Sequence, residues 1–101
     1  MTALARRLVA CKGWRWPDFS WPDMAYGPWP EVGRATPDLD GPYAWLWLGW
    51  LEHLCRESYS GFIVLTVGNE WFSVETDNNT WDDDNCDSYL VALVSALEAS
   101  R

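Results

Sequence analysis

The sequence predicts an α+β fold: a β-hairpin packed on helices in a single small domain, residues 1–101, in the order α-loop-α-β-β-α. Three observations predict it. Apolar residues recur at helical spacing in three separate stretches, and two β-branched runs flank a Gly-Asn pair. All six prolines are confined to residues 17–42. A two-stranded hairpin does not hold itself together in water, so helices must cover its apolar face.

A first helix is expected over residues 2–12. Leu4, Leu8 and Cys11 fall on one stripe, and Ala3, Ala5 and Ala10 favour helix. Thr2 is placed to cap it, Lys12 suits the last turn, and Gly13 ends it. Residues 14–42 differ in kind. Pro17, Pro22, Pro28, Pro30, Pro37 and Pro42 alternate with Trp14, Trp16, Phe19, Trp21, Tyr26 and Trp29. Proline removes backbone donors and disfavours helix in the residue before it. The aromatic residues argue against a solvated linker, so a long ordered loop wrapping the domain is expected.

The second helix is expected over residues 42–57, with Asp40 as N-cap and Pro42 in the first turn. Trp45, Trp47, Leu48, Leu51, Leu54 and Cys55 cover most of its circumference, which predicts the most buried helix. Phe62 to Val67 and Glu70 to Glu75 are the strands. A two-residue turn at Gly68-Asn69 would pair Val67 with Glu70, Leu65 with Phe72 and Ile63 with Val74. Ile63, Leu65, Val67, Phe72 and Val74 then share one face, and a slip of one residue would destroy that separation. Residues 76–85 read as a polar loop. A third helix is expected over 86–99, with Cys86, Leu90, Leu93, Val94 and Leu97 on one stripe. Asp84 or Asn85 would cap it, with Asp87 at the positive end of its dipole.

Charge and composition exclude several functions. Fifteen acids against seven Lys and Arg give a net charge of −8, which argues against gripping nucleic acid phosphates over a basic face. The longest apolar run, Tyr43 to Leu51, falls well short of the roughly 20 residues that span a membrane. Residues 1–11 have no sustained apolar signal core, and three cysteines make an unpromising disulfide scaffold. A cytoplasmic protein is therefore expected. The charges are also segregated. Residues 1–15 hold Arg6, Arg7, Lys12 and Arg15 without an acid, whereas residues 57–98 contain acids and neither Lys nor Arg. Either the two ends neutralise each other in the fold, or the acidic half faces a basic partner.

Nine tryptophans stand in 101 residues. Each can bury roughly 150–250 Å², and each indole N–H seeks an acceptor when buried. A domain this small has little room for all of them. Two readings stand: a Trp-rich core with wet rims, or a contact surface built from several of the indoles.

No set of residues announces a reaction. Read as a calcium loop from Asp82, the sixth position is Asp87 instead of Gly and the twelfth is Leu93 instead of Glu. His53 has no partners at zinc-ligand spacing, and no third group orients a Cys-His nucleophile. Carboxylate pairs suited to glycoside chemistry can be drawn from any chain this acidic. Phosphate-binding glycine loops and serine nucleophile elbows are absent. Asn78-Asn79-Thr80 is a glycosylation sequon, which matters only in a secreted chain. No enzyme, cofactor or metal is expected.

Three stretches carry a resemblance: LARRLVACKGWRW at residues 4–16, PDLDGP at 37–42 before an apolar helix, and LVALVSALEAS at 90–100. Together they make up about a third of the chain. They resemble a loose group of small uncharacterised proteins encoded by bacteriophages and prophages. The Pro and Trp residues of 17–35 and the acids at 82–84 lie outside that pattern. The resemblance implies a phage-type accessory protein made in a bacterial cytoplasm, and it brings no catalytic residues with it.

The expectation is a non-enzymatic inhibitor of a bacterial nucleic-acid-handling or defence complex, anti-CRISPR-like in its most concrete form. Glu70, Asp77, Asp82, Asp83 and Asp84 would supply charge, with Trp71 and Trp81 as apolar anchors. The partner would be a host protein with a basic surface, not nucleic acid itself and not a membrane. The alternatives are a structural module self-associating through exposed tryptophans, and a carbohydrate or small-ligand binder using the Trp/Pro loop.

Overall fold

A computed structural model describes residues 2–16, 37, 39, 44–59 and 63–100. Of the loop expected over 14–42 only residues 14–16, 37 and 39 are among those described, and the Asp40 cap and Pro42 lie outside them. The element order is α1 (Thr2–Val9), α2 (Ala44–Ser58), β1 (Ile63–Val67), β2 (Phe72–Thr76), β3 (Thr80–Asp82) and α3 (Tyr89–Ala99). The α+β class holds, with a third strand added.

The helix α1 is shorter than expected. After Val9 the chain tightens into turns, with Cys11 N donating to Leu8 O at 3.0 Å and Trp14 N to Cys11 O at 3.1 Å. Gly13 lies close against the other two helices. A Cβ on it would strike the Ser58 hydroxyl at the end of α2 and lie 3.0 Å from Leu97 Cδ1 of α3.

The hub of the core is α3, not α2. It packs on α1, α2, β2 and β3, and Leu90, Ala92, Leu93, Val94, Ala96 and Leu97 are all buried. Within its eleven residues Glu98 is the lone charge, so apolar surface is available on almost every side. Its N-cap is Ser88, not Asp84 or Asn85: the backbone there is extended and the hydroxyl accepts Val91 N at 3.2 Å. Cys86 therefore precedes the helix. In α2, Leu46, Trp47, Trp50, Leu51, Leu54 and Cys55 are buried, while Trp45 is 67% exposed. Tyr89 Oη donates to Glu52 Oε2 at 2.6 Å and ties the start of α3 to α2.

The hairpin register is displaced by two residues from expectation. Val67 pairs with Phe72, Leu65 with Val74 and Ile63 with Thr76. Gly68 N donates to Trp71 O at 2.7 Å, so the turn is made by Asn69 and Glu70 instead of Gly68 and Asn69. A displacement of two preserves the side-chain alternation, so the expected faces survive. Val74 is fully buried, and Ile63, Leu65 and Phe72 pack against the core from the same face, whereas Val67, expected with them, is exposed at the end of β1.

The polar loop expected over 76–85 contains β3. It pairs with β2 through Ser73 and Asp82, Val74 and Trp81, Glu75 and Thr80, giving an antiparallel sheet in the order β1-β2-β3. Three residues among acids and asparagines are too short to show a period-two pattern.

Candidate functional site

The outer sheet face is set by the alternation. Across β2 it carries Trp71, Ser73 and Glu75, with Val64 and Thr66 of β1 on one side and Thr80 and Asp82 of β3 on the other. Trp71 is 50% exposed and Val64 37%. Trp71 lies over Gly68, whose missing side chain leaves the indole its seat.

Trp81, expected as a second free anchor, is turned inward. It stands opposite buried Val74 on the helix-facing side and packs against the core half-buried. The tryptophan with the largest exposure among the described residues is Trp45 on α2, which by spacing belongs to that helix's apolar girdle. Its spacing alone could not separate it from Leu46 and Trp47.

The expected acids divide into two places. Because β3 runs antiparallel to β2, Asp82 lies beside Ser73, and Asp83 and Asp84 continue past it at the end of β2 that starts from Glu70 and Trp71. Asp77 sits in the turn at the other end of β2, roughly 20 Å away along the strand. Glu70, Trp71, Asp82, Asp83 and Asp84 thus lie toward one end of the sheet, and Asp77 lies at the other.

The aspartate turn is held by local bonds. Asp82 Oδ1 accepts Asp84 N at 3.0 Å, and Asp82 O accepts Cys86 N at 2.8 Å. Asn85 clamps β3 from both ends, accepting Asp82 N on Oδ1 at 2.9 Å and donating Nδ2 to Thr80 O at 3.0 Å. Asp83 and Asp84 are left exposed.

Two of the four cations of residues 1–15, Arg7 and Arg15, are engaged elsewhere. Arg7 grips Glu98 with two bonds, Nη2 to Oε1 at 2.7 Å and Nε to Oε2 at 3.0 Å, and the guanidinium holds the Glu98 carboxyl below its ordinary range. Arg15 Nη2 donates to Glu57 Oε2 at 2.6 Å and its guanidinium lies 5.0 Å from the Trp50 ring centre. His53 stacks on Trp50 at 5.4 Å and reaches Glu57 at 3.2 Å. Among the described residues Glu70, Glu75, Asp77, Asp82, Asp83, Asp84 and Asp87 form no ion pair.

Burial pushes the Cys55 thiol up to about 12 and Cys11 to about 11, and both donate weakly to backbone carbonyls. Among the described residues no three His, Cys, Asp or Glu side chains converge as metal ligands, and no helix is long and apolar enough to cross a membrane. A polar hollow of about 240 Å³ between α1 and the end of α3 is lined by Arg7, Cys11, Lys12, Glu98 and Ser100, and the Arg7–Glu98 pair occupies its wall. The Trp/Pro loop considered for sugar binding lies outside the described residues. No family model matches the chain, and neither a curated protein nor a solved structure gives a significant match to it.

Proposed function

We propose that the protein is a non-enzymatic, phage-encoded inhibitor that acts in a bacterial cytoplasm by docking on a host nucleic-acid-handling or defence complex, in the manner of an anti-CRISPR. The observation that carries this reading is the division of its carboxylates. Glu52, Glu57 and Glu98 have partners inside the fold, whereas Glu70, Asp82, Asp83 and Asp84 have no cation among the described residues and lie toward the same end of the sheet as an exposed indole. Like charges held close repel one another at modest cost in water, and a basic partner relieves that cost. Channels that hold nucleic acid are basic, so a folded object presenting spaced carboxylates competes for them. Trp71 supplies the apolar anchor that such a contact uses at its centre.

The test is competition. Affinity capture from bacterial lysate identifies the host complex, and the purified complex is then assayed for nucleic acid binding with and without this protein. The expected result is displacement of the nucleic acid, lost when Glu70, Asp83 and Asp84 are changed together to Lys. Asp82 is spared in that variant because its carboxylate holds the turn. Equal displacement by the variant, or capture with no effect on nucleic acid binding, would overturn the reading.

A further inference from the structure

The sheet has two edges, and they differ in chemistry. The β3 edge carries Asp82 and leads into Asp83 and Asp84. The β1 edge, Ile63–Val67, has the sequence IVLTV, with no charge and no proline. Natural edge strands are commonly blunted by a Lys, a Pro, a bulge or a covering element, because an open row of N–H and C=O groups invites another strand. Here β1 pairs continuously with β2 from Ile63 to Val67 and shows no bulge.

The register identifies which groups are open. Gly68 and Trp71 are a hydrogen-bonded pair, and such pairs alternate along an antiparallel ladder. Thr66 and Val64 therefore direct their backbone groups to β2, while Ile63, Leu65 and Val67 direct theirs away from the sheet. Among the described residues those outward groups have no hydrogen-bond partner beyond the ladder. Val64 and Val67 are 37% and 58% exposed.

We infer that β1 is a self-association edge, and that its occupant is β1 of a second copy of this chain, antiparallel about a two-fold axis through Leu65. In that register Leu65 meets its own counterpart and Ile63 meets Val67 of the second copy. All three outward-directed residues are paired on both sides. Ile63, Leu65 and Val67 of both copies stay on one side of the sheet, so two three-stranded sheets become one of six strands. Charge selects this edge. Pairing through β3 would set two aspartate turns against each other, whereas pairing through β1 leaves them at the outer edges, about 24 Å apart across five strand spacings and well beyond a Debye length of about 8 Å. The inference does not depend on the acidic surface, which remains free on both copies.

An interface of one short strand a side is small, so a weak, concentration-dependent dimer is expected. Sedimentation velocity should show monomer at about 1 μM and a rising dimer fraction toward about 300 μM. Over the same range, amide hydrogen exchange at Ile63, Leu65 and Val67 should slow several-fold, while Val64 and Thr66 stay protected throughout. Leu65→Pro removes an outward N–H and no internal bond, and should abolish the dimer. Should that variant unfold, Val64→Lys provides the same test: it stands opposite Glu75 in the monomer and brings two ammonium groups near the two-fold axis. A monomer at every concentration overturns the inference. So does a dimer in which exchange at Leu65 is unchanged, or one that survives the folded variant.

Discussion

Gly68 and Trp71 close the β1–β2 turn as a pair in which the glycine has no side chain because the indole takes its place. Gly68 N donates to Trp71 O at 2.7 Å, and a Cβ added to Gly68 would fall within the indole. The exposed anchor of the proposed surface is therefore positioned by its cross-strand neighbour. Gly68→Ala should swing the ring away. Since Trp71 is half-exposed and the displaced ring can move into solvent, the cost in stability should be about 1 kcal/mol or less. The check is the Trp71 indole N–H resonance, which should move while the Val74 amide stays in place. An unmoved indole would show that the seat on Gly68 does not hold the ring.

Capping of α3 gives a second test. Ser88→Ala should destabilise the protein by about 1 kcal/mol, because Val91 N loses its acceptor at the helix start. Asp84→Ala should leave α3 unaffected, since Asp84 lies before the helix and caps nothing in it. Urea unfolding with an unchanged m-value checks both.

The thiol of Cys55 reports on the α2–α3 seam. It is fully buried, donates to Leu93 O at 3.4 Å, and is pushed up to about 12 by burial. At pH 8 in the native protein an aromatic disulfide reagent should leave Cys55 unlabelled on the timescale in which denatured protein reacts at all three cysteines. Its slow native labelling should track global unfolding and accelerate in Leu93→Ala, a substitution expected to cost about 2–5 kcal/mol. Labelling of Cys55 at the rate of a free thiol would mean that the seam opens locally.

Acid should loosen the N-terminal tether. Hydrogen bonds from Arg7 and Arg15 hold Glu98 and Glu57 below the ordinary carboxyl value of 4.5. As pH falls, the unfolded chain takes up these protons before the folded one does. The contribution is thus complete above pH 4.5 and is lost as pH drops through the lower folded-state values. The Arg7–Glu98 pair is more than a third exposed, so solvent screening limits it to about 0–1 kcal/mol. Thermal melts of Glu98→Gln should lie below wild type at pH 7 and converge with it near pH 3. A constant offset across that range would remove the ion pair as the cause.

The proposed surface was half legible in the sequence. Trp71 and the acids of residues 70–84 stood out by type and by charge segregation, but Trp81 could not be oriented without β3. Once Thr80 pairs with Glu75, Trp81 must face the same way as Val74, into the core. The engagement of Arg7 and Arg15 was equally hidden. Their acids lie 91 and 42 positions away, and the sequence alone could not say whether Arg7 would reach Glu98 or Asp83.

What the sequence determined by itself is the local and periodic part: three helices, a hairpin, and which residues of each strand share a face. Those follow from side-chain spacing against repeats of 3.6 and 2, and even a register displaced by two residues leaves the faces intact. Tertiary structure alone decided the rest: that α3 is the hub, that a three-residue strand closes the sheet, and that Arg7 and Arg15 pair with Glu98 and Glu57. These depend on which elements meet. Packing between residues far apart in the chain sets that, through apolar area removed from water that no short window of sequence records.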